Sequence, residues 1–351
     1  MWANFKRFFQ SAAWQMRFAR QSYQPLPIQV EPAHTRKQML AGYAIAAGGS
    51  ALFSSKAIFI KLAYGSAPEL DPMTLLAIRM GLAVPIYILI AIWAFRSPKT
   101  PRPSHITKRH YFAAGAMGLL GYYVASILDF TGLLYLTAQL ERLILFTYPA
   151  FVMVLGAMFF GKRIRVAGLV SMLIAYSGLA VIFARGSIAS GEHVLLGSLM
   201  VFGAAFSFAI FQLIAGKQIK IFGSALFTCM AMICAGFGIL THFAVESVIT
   251  GQFERLHQPK EIWLLGAGIA VVATLIPSFM INIALGRIGA QAVAVVGMVS
   301  PLATILLAVT LLNEPFGFVD GLGTGLAIFG IGLFTWFAQR DRKIPTASPA
   351  D

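Results

Sequence analysis

The sequence predicts an all-α integral membrane protein of ten transmembrane helices, arranged as two inverted five-helix repeats. Three observations carry this prediction. Of 351 residues, 58% are hydrophobic and only 11% charged, and the apolar residues fall in blocks of span length. Lys and Arg collect on alternate connections, and the second half of the chain repeats the first at a nearly constant offset.

The first 37 residues stand apart. Trp2, Phe5, Phe9, Ala12, Ala13 and Met16 recur at helical spacing among Lys6, Arg7, Arg17 and Arg20, and no acid precedes Glu31. This is the pattern of a basic amphipathic cytoplasmic segment lying on anionic lipid. A disordered basic tail and an organelle-targeting peptide share the composition. A secretory signal does not fit, because the segment lacks a continuous apolar core.

Ten apolar blocks follow, near 41–62, 73–95, 111–135, 138–160, 166–185, 194–215, 225–247, 262–285, 290–312 and 317–338. Each approaches the roughly 20 residues needed to cross hydrocarbon with every backbone group paired internally. No connection is long enough for a soluble domain, so the spans must carry the function. With the N-terminus inside, the inner segments hold Lys6, Arg7, Arg17, Arg20, Arg36, Lys37, Arg96, Lys99, Arg102, Lys108, Arg109, Lys162, Arg163, Arg165, Lys217, Lys220, Arg287, Arg340, Arg342 and Lys343. Outer segments hold only Lys61, Arg185, Arg255 and Lys260. This bias puts both termini in the cytoplasm and requires an even number of crossings. It also accounts for the net charge of +14 without nucleic acid. Cys229 and Cys234 lie in the seventh span without metal-ligand spacing and read as apolar filler.

A shift of 152 places Ala138 and Gln139 on Ala290 and Gln291, Pro149 on Pro301, Leu155 on Leu307, Ala175 on Ala327 and Gly178 on Gly330. A shift of 153 aligns Ala51, Phe53 and Ser54 with Ala204, Phe206 and Ser207. A unit of five spans is odd, so its second copy enters from the opposite side. The basic turn at Lys162 accordingly aligns with Glu314, where the charge is reversed. The expected units are a first repeat over 38–186, a second over 192–340, and a cytoplasmic tail over 341–351.

Short strings in order and doubled carry a family resemblance. They are Ala77-Ile78-Arg79-Met80, the corner Gly132-Leu133-Leu134-Tyr135-Leu136-Thr137-Ala138 with its echo Ala284-Leu285-Gly286-Arg287-Ile288-Gly289-Ala290, and Leu311-Leu312-Asn313-Glu314-Pro315. Over about residues 40–340 the chain resembles the EamA family of the drug/metabolite transporter superfamily. The resemblance implies a ten-helix, two-repeat carrier of small metabolites, often outward, and names no substrate. The chain departs from the family pattern at Lys162, where a Glu is usual, and at Glu141-Arg142.

Five ionisable residues fall within spans: Lys56, Arg79, Asp129, Glu141 and Arg142, all in the first half and summing to +1. Each costs roughly 2.5–3.5 kcal/mol on insertion scales and therefore needs a reason. One reading has them line a substrate path, the surplus cation meeting an anionic group and a carboxylate titrating under proton coupling. The other reading pairs Asp129 with Arg142 and lets Lys56 and Arg79 snorkel outward. Tyr122 and Ser126 share a helix face with Asp129, and Tyr148 lies seven residues from Glu141, so these three also enter the candidate path. The second half adds Gln212, Asn282 and Gln291.

Pro149 and Pro301 each free a carbonyl one turn earlier, at Leu145 and Gly297, and are candidates for functional helix breaks or for packing kinks. Gly321 and Gly325 form a G-x-x-x-G suited to close helix packing. The expected protein is thus a multi-pass cell-membrane transporter, in a bacterial inner membrane, acting as monomer or homodimer on a small metabolite, surrounded by lipid, without cofactor. A channel and an intramembrane enzyme are the alternatives. The only imagined dyad, Ser177 with His242, lacks a protease motif, and no phosphate-binding loop occurs.

Overall fold

The computed structural model describes residues 36–96, 107–160, 166–185, 193–297 and 299–340. The amphipathic N-terminal segment, the basic turn at Lys162 and the C-terminal tail lie outside these residues. The described chain is all helix and connection. α1 is Arg36–Ser66, α2 Pro72–Arg96, α3 Lys108–Gly118, α4 Ala125–Tyr135, α5 Ala138–Leu145, α6 Tyr148–Phe160 and α7 Val166–Arg185. α8 is Val194–Phe222, α9 Ser224–Thr250, α10 Lys260–Ala270, α11 Ile276–Val296, α12 Val299–Leu311 and α13 Phe318–Arg340.

Seven helical stretches are long and apolar enough to cross a membrane: Gln38–Ser66, Pro72–Arg96, Lys108–Tyr135, Ala138–Met158, Val194–Phe222, Ser224–Thr250 and Lys260–Ile288. At about 1.5 Å per residue, the shortest of these, of 21 residues, already reaches about 30 Å. Val166–Gly178 and Phe318–Gly330 are shorter apolar helices. The chain is therefore a multi-pass membrane protein.

Local chemistry explains where these rods begin and end. Pro72 opens α2, where its missing N–H is not needed, and Asp71 caps it by accepting from the Thr74 amide at 2.8 Å. Gly223 has φ of 77° and is the only residue between α8 and α9. Gly251, with φ of 69°, ends α9. Asn313 has φ of 52°, a left-handed conformation that Asn tolerates, and it turns the chain sharply after α12.

Two irregularities occur in both halves at the same register. α3 runs into α4 through a π-helical turn at Leu119–Val124, and α10 runs into α11 through another at Val271–Leu275, 152 residues later. The rod that begins at Ala138 breaks between Leu145 and Tyr148, and the second-half helices break between Val296 and Val299. Pro149 and Pro301 lie in the first turn of α6 and of α12, so each sits where a helix restarts rather than at a bend within one.

Packing repeats with the same offset. α1 lies along α11, and its counterpart α8 lies along α4. α2 packs on α9, and α7 on α13. In these last two pairs a helix meets its own counterpart: Val84 fills the space beside Gly236, and Gly178 and Gly330 press against the α13 and α7 backbones. A Cβ on Gly178 would collide with the Gly323 carbonyl, and one on Gly330 with the Ala175 amide. The G-x-x-x-G expected at Gly321 and Gly325 is not that contact. A Cβ on Gly325 would meet nothing within 4 Å, because the face packed on α7 carries Gly323, Ala327 and Gly330 instead.

Candidate functional site

A cavity of about 120 Å³ lies between the two halves. This is several times the ~10–15 Å³ that admits one water, and enough for a small organic molecule. Phe53 and Lys56 reach it from α1, Arg79 from α2, Tyr122, Ser126 and Asp129 from the π turn and α4, and Arg142 from α5. The second half contributes Phe208, Phe211 and Gln212 from α8, Met232 from α9, and Thr274, Ser278, Ile281 and Asn282 from the second π turn and α11. Several lining residues are counterparts at the 152 offset: Tyr122 and Thr274, Ser126 and Ser278, Asp129 and Ile281, Leu145 and Gly297, Tyr148 and Ser300.

The local fold explains this convergence. Tyr122, Ser126 and Asp129 share one face because the π turn hands over smoothly to α4, and all three line the cavity. Leu145 and Gly297 both line the cavity at the two helix breaks, but the Gly297 carbonyl, expected to be freed by Pro301, accepts from the Ser300 amide at 2.8 Å; in the first half the break follows Leu145. That break also separates Glu141 from Tyr148. The seven-residue spacing therefore does not place them on one face: Tyr148 lines the cavity, while Glu141 is fully buried behind it, beside Lys56.

All five intramembrane charges are buried, none more than 6% exposed. Four form a connected chain. Lys56 Nζ donates to Asp129 Oδ2 at 2.5 Å and stands 3.7 Å from Glu141 Oε1. Arg142 Nε stands 3.8 Å from Glu141 Oε2, and Arg142 Nη2 donates to the Phe53 carbonyl at 3.3 Å. Asp129 thus pairs with Lys56 rather than with Arg142, and neither Lys56 nor Arg79 snorkels outward. The reason is packing: α1 and α4 meet, and the corner where both helices end is filled, with Tyr64 Oη donating to the Phe130 carbonyl at 3.0 Å and Lys61 to the Leu133 carbonyl at 3.3 Å.

Arg79 is separate from this chain. It donates to Ser126 Oγ at 3.2 Å, and its guanidinium lies over the Phe130 ring at 5.0 Å from the centroid. Among the described residues no carboxylate is within ion-pair reach of it, and its Nε has no partner.

Polar ties cross the seam. Asn282, 1% exposed, donates to Tyr122 Oη at 3.5 Å. Tyr87 and Ser278 share a hydrogen bond at 2.8 Å, as do Ser54 and Ser300, and Thr304 donates to the Ser54 carbonyl at 3.3 Å. Glu314, positioned by the Asn313 turn, accepts from the amides of Ala138 at 2.7 Å and Gln139 at 3.2 Å, capping α5 from the opposite half. The side chain of Gln291 lies outside the described part of the chain.

Sequence reasoning missed Thr274, Ser278 and Ser300, and also the cap supplied by Glu314. The 152 offset applied to Tyr122, Ser126 and Tyr148 points to the first three. No sequence signal ties Glu314 to a helix start 176 residues away.

Two stretches, 40–184 and 195–336, each match the EamA-like transporter family. The chain belongs to the EamA-like transporter family. Among its relatives are two uncharacterized transporters of Bacillus subtilis (strain 168). YcbK is 28% identical over 283 residues, covering 81% of this chain and 89% of its own length. YetK is 24% identical over 247 residues, with 70% and 73% covered. A solved crystal structure at 16% identity superposes with a TM-score of 0.58 over 87% of this chain and 99% of its own, a likeness of fold alone.

Proposed function

We propose that this chain is a secondary transporter of small metabolites in the cytoplasmic membrane, exporting its cargo by alternating access. It crosses the bilayer ten times as two inverted five-helix repeats, with both termini in the cytoplasm. The observation that carries the reading is the seam cavity. It is lined from both halves at corresponding positions and holds a buried charge cluster that packing alone does not require.

Support for ten crossings comes from three sources. α7, α12 and α13 add shorter apolar helices to the seven long stretches, the family match occurs twice in tandem, and Lys and Arg are biased to one side. On that topology the Glu314 cap lies toward the outer end of the seam and the Ser54–Ser300 bond lies at cavity depth; both tie one half to the other, so rocking of the halves strains both. Energy would come from a gradient, with protons the first candidate and the Asp129–Lys56–Glu141 group as carrier.

A channel would share the symmetry but not saturable exchange. An enzyme is disfavoured because Ser177 donates to the Ile174 carbonyl at 2.8 Å while His242 meets Tyr123 at 3.0 Å, which leaves the imagined dyad unassembled. Metabolite profiling of medium from cells overproducing the chain or its Arg79→Ala variant would identify the cargo. Vesicles should then show saturable, trans-stimulated uptake of that compound, and flux that never saturates would contradict the carrier. An ionophore that dissipates the proton gradient without changing flux would end the coupling proposal and leave facilitated exchange standing.

A further inference from the structure

Resting on the reading of the cavity as a cargo path, we infer that the cargo is a small organic monocarboxylate with a compact apolar body. The first argument is charge. Asp129, Lys56, Glu141 and Arg142 neutralise one another in an unbroken chain of contacts of 2.5, 3.7 and 3.8 Å. Arg79 is left over as a single positive charge on the cavity wall, 3% exposed, hydrogen-bonded to Ser126, stacked on the face of Phe130 and, among the described residues, outside ion-pair reach of any carboxylate.

A guanidinium offers five N–H donors in a planar fork that matches a carboxylate, and its charge persists at any physiological pH. Arg79 has spent one of those donors on Ser126, and its Nε is buried with no partner. One surplus charge suits a monoanion rather than a dianion. A cation has the wrong sign. A zwitterion would need a carboxylate for its ammonium, and both carboxylates here are already neutralised by Lys56 and Arg142. Asp129 Oδ1, buried without a partner, can still accept one hydrogen bond from a neutral hydroxyl or amide on the cargo.

The second argument is the wall opposite. Phe53, Phe208, Phe211, Met232, Ile281 and Leu285 make the rest of the lining largely apolar and aromatic. Such a surface favours an apolar or aromatic body over a sugar-like one. With about 120 Å³ available, that body is small. An inside-negative membrane potential drives a monoanion outward, the direction proposed above, with or without a proton.

The test is ligand-dependent thermal stabilisation of the detergent-purified full chain, from which apparent affinities follow. The probes are three monocarboxylates (benzoate, phenylacetate and hexanoate), the cation benzylamine, zwitterionic phenylalanine and the dianion phthalate. At least one monocarboxylate should stabilise the protein saturably, and the other charge types should be weaker by about tenfold or more, one charge-assisted hydrogen-bonded pair. Arg79→Gln should weaken that monocarboxylate by a similar factor and Arg79→Lys by less. If Arg79→Gln is not monodisperse, the probe series on the unaltered chain decides alone. Failure of all three monocarboxylates, or equal binding of benzylamine, phenylalanine or phthalate, would overturn the inference. Counterflow in vesicles separates it from the carrier reading. Arg79-dependent binding without trans-stimulated exchange contradicts the carrier and leaves the binding class standing. Exchange of phenylalanine or benzylamine without monocarboxylate binding leaves the carrier and overturns the class.

Discussion

The two halves of this chain share a backbone plan and differ in chemistry. At the 152 offset, Lys56 corresponds to Phe208, Arg79 to Ala231, Asp129 to Ile281, Glu141 to Val293 and Arg142 to Ala294. Every intramembrane charge of the first half faces an apolar counterpart in the second. The π turns, the helix interruptions and the glycine contacts of α7 and α13 are nonetheless duplicated. Backbone features that set helix packing recur in both copies, while the charges that select a ligand occur in one. The first half supplies all the charge and the second an uncharged wall of apolar and neutral polar side chains.

The largest expected effect breaks the charge chain. Lys56→Met strands Asp129 and Glu141 as neighbouring buried carboxylates and should cost about 3–5 kcal/mol, seen as a collapse of the thermal unfolding midpoint in detergent. Adding Asp129→Leu should recover much of it. The counterpart change Phe208→Met should cost less than about 1.5 kcal/mol, and equal losses at the two positions would erase the asymmetry.

A second prediction sharpens the shared scaffold. Gly178→Val and Gly330→Val should each destabilise by about 1–3 kcal/mol or more, since both added side chains meet backbone. Gly325→Val should be nearly silent because its site is open. The same unfolding assay reads all three, and an unequal response of Gly178 and Gly330 would argue against a symmetric seam.

Most of the scaffold was legible in the sequence because hydrocarbon tolerates only internally paired backbone, which writes long apolar blocks into any such chain. The location of the charges was legible for the same energetic reason. Their pairing was not. Lys56 and Asp129 are 73 residues apart, and which of them meet depends on the rotation of α1 against α4, which hydropathy does not encode. The snorkelling alternative failed on similar grounds, because the packing that fills the corner where α1 and α4 end is tertiary. The G-x-x-x-G at Gly321 was a true small-residue signal on the wrong face. Pro149 and Pro301 mark an interruption in the sequence, but that each sits in the first turn of a restarted helix depends on where the preceding helix stops, which the proline alone does not encode.

A smaller effect is expected at the cap that crosses between halves. Glu314→Gln keeps the shape and removes the charge that receives the Ala138 and Gln139 amides, and should cost about 0.5–2 kcal/mol in the unfolding assay. The smallest is Asn282→Ala. Its 3.5 Å bond to Tyr122 is long, and its loss should cost no more than about 1 kcal/mol. A drop larger than that of Lys56→Met would move the weight of the site into the second half.

The central claim is that cargo crosses because the two halves move against each other around the cavity. Ser54 and Ser300 lie on opposite sides of the seam with hydroxyl oxygens in hydrogen-bond contact at 2.8 Å, so cysteine sulfurs at these positions need approach by less than about 1 Å to form the ~2.05 Å bond of a disulfide. The direct measurement is exchange, in vesicles, of the exported metabolite by the Ser54→Cys, Ser300→Cys double variant before and after oxidation. The account predicts that cross-linking stops exchange and that a reductant restores it, with either single variant unaffected by the oxidant. A fully cross-linked protein that exchanges its cargo at the uncross-linked rate would contradict it.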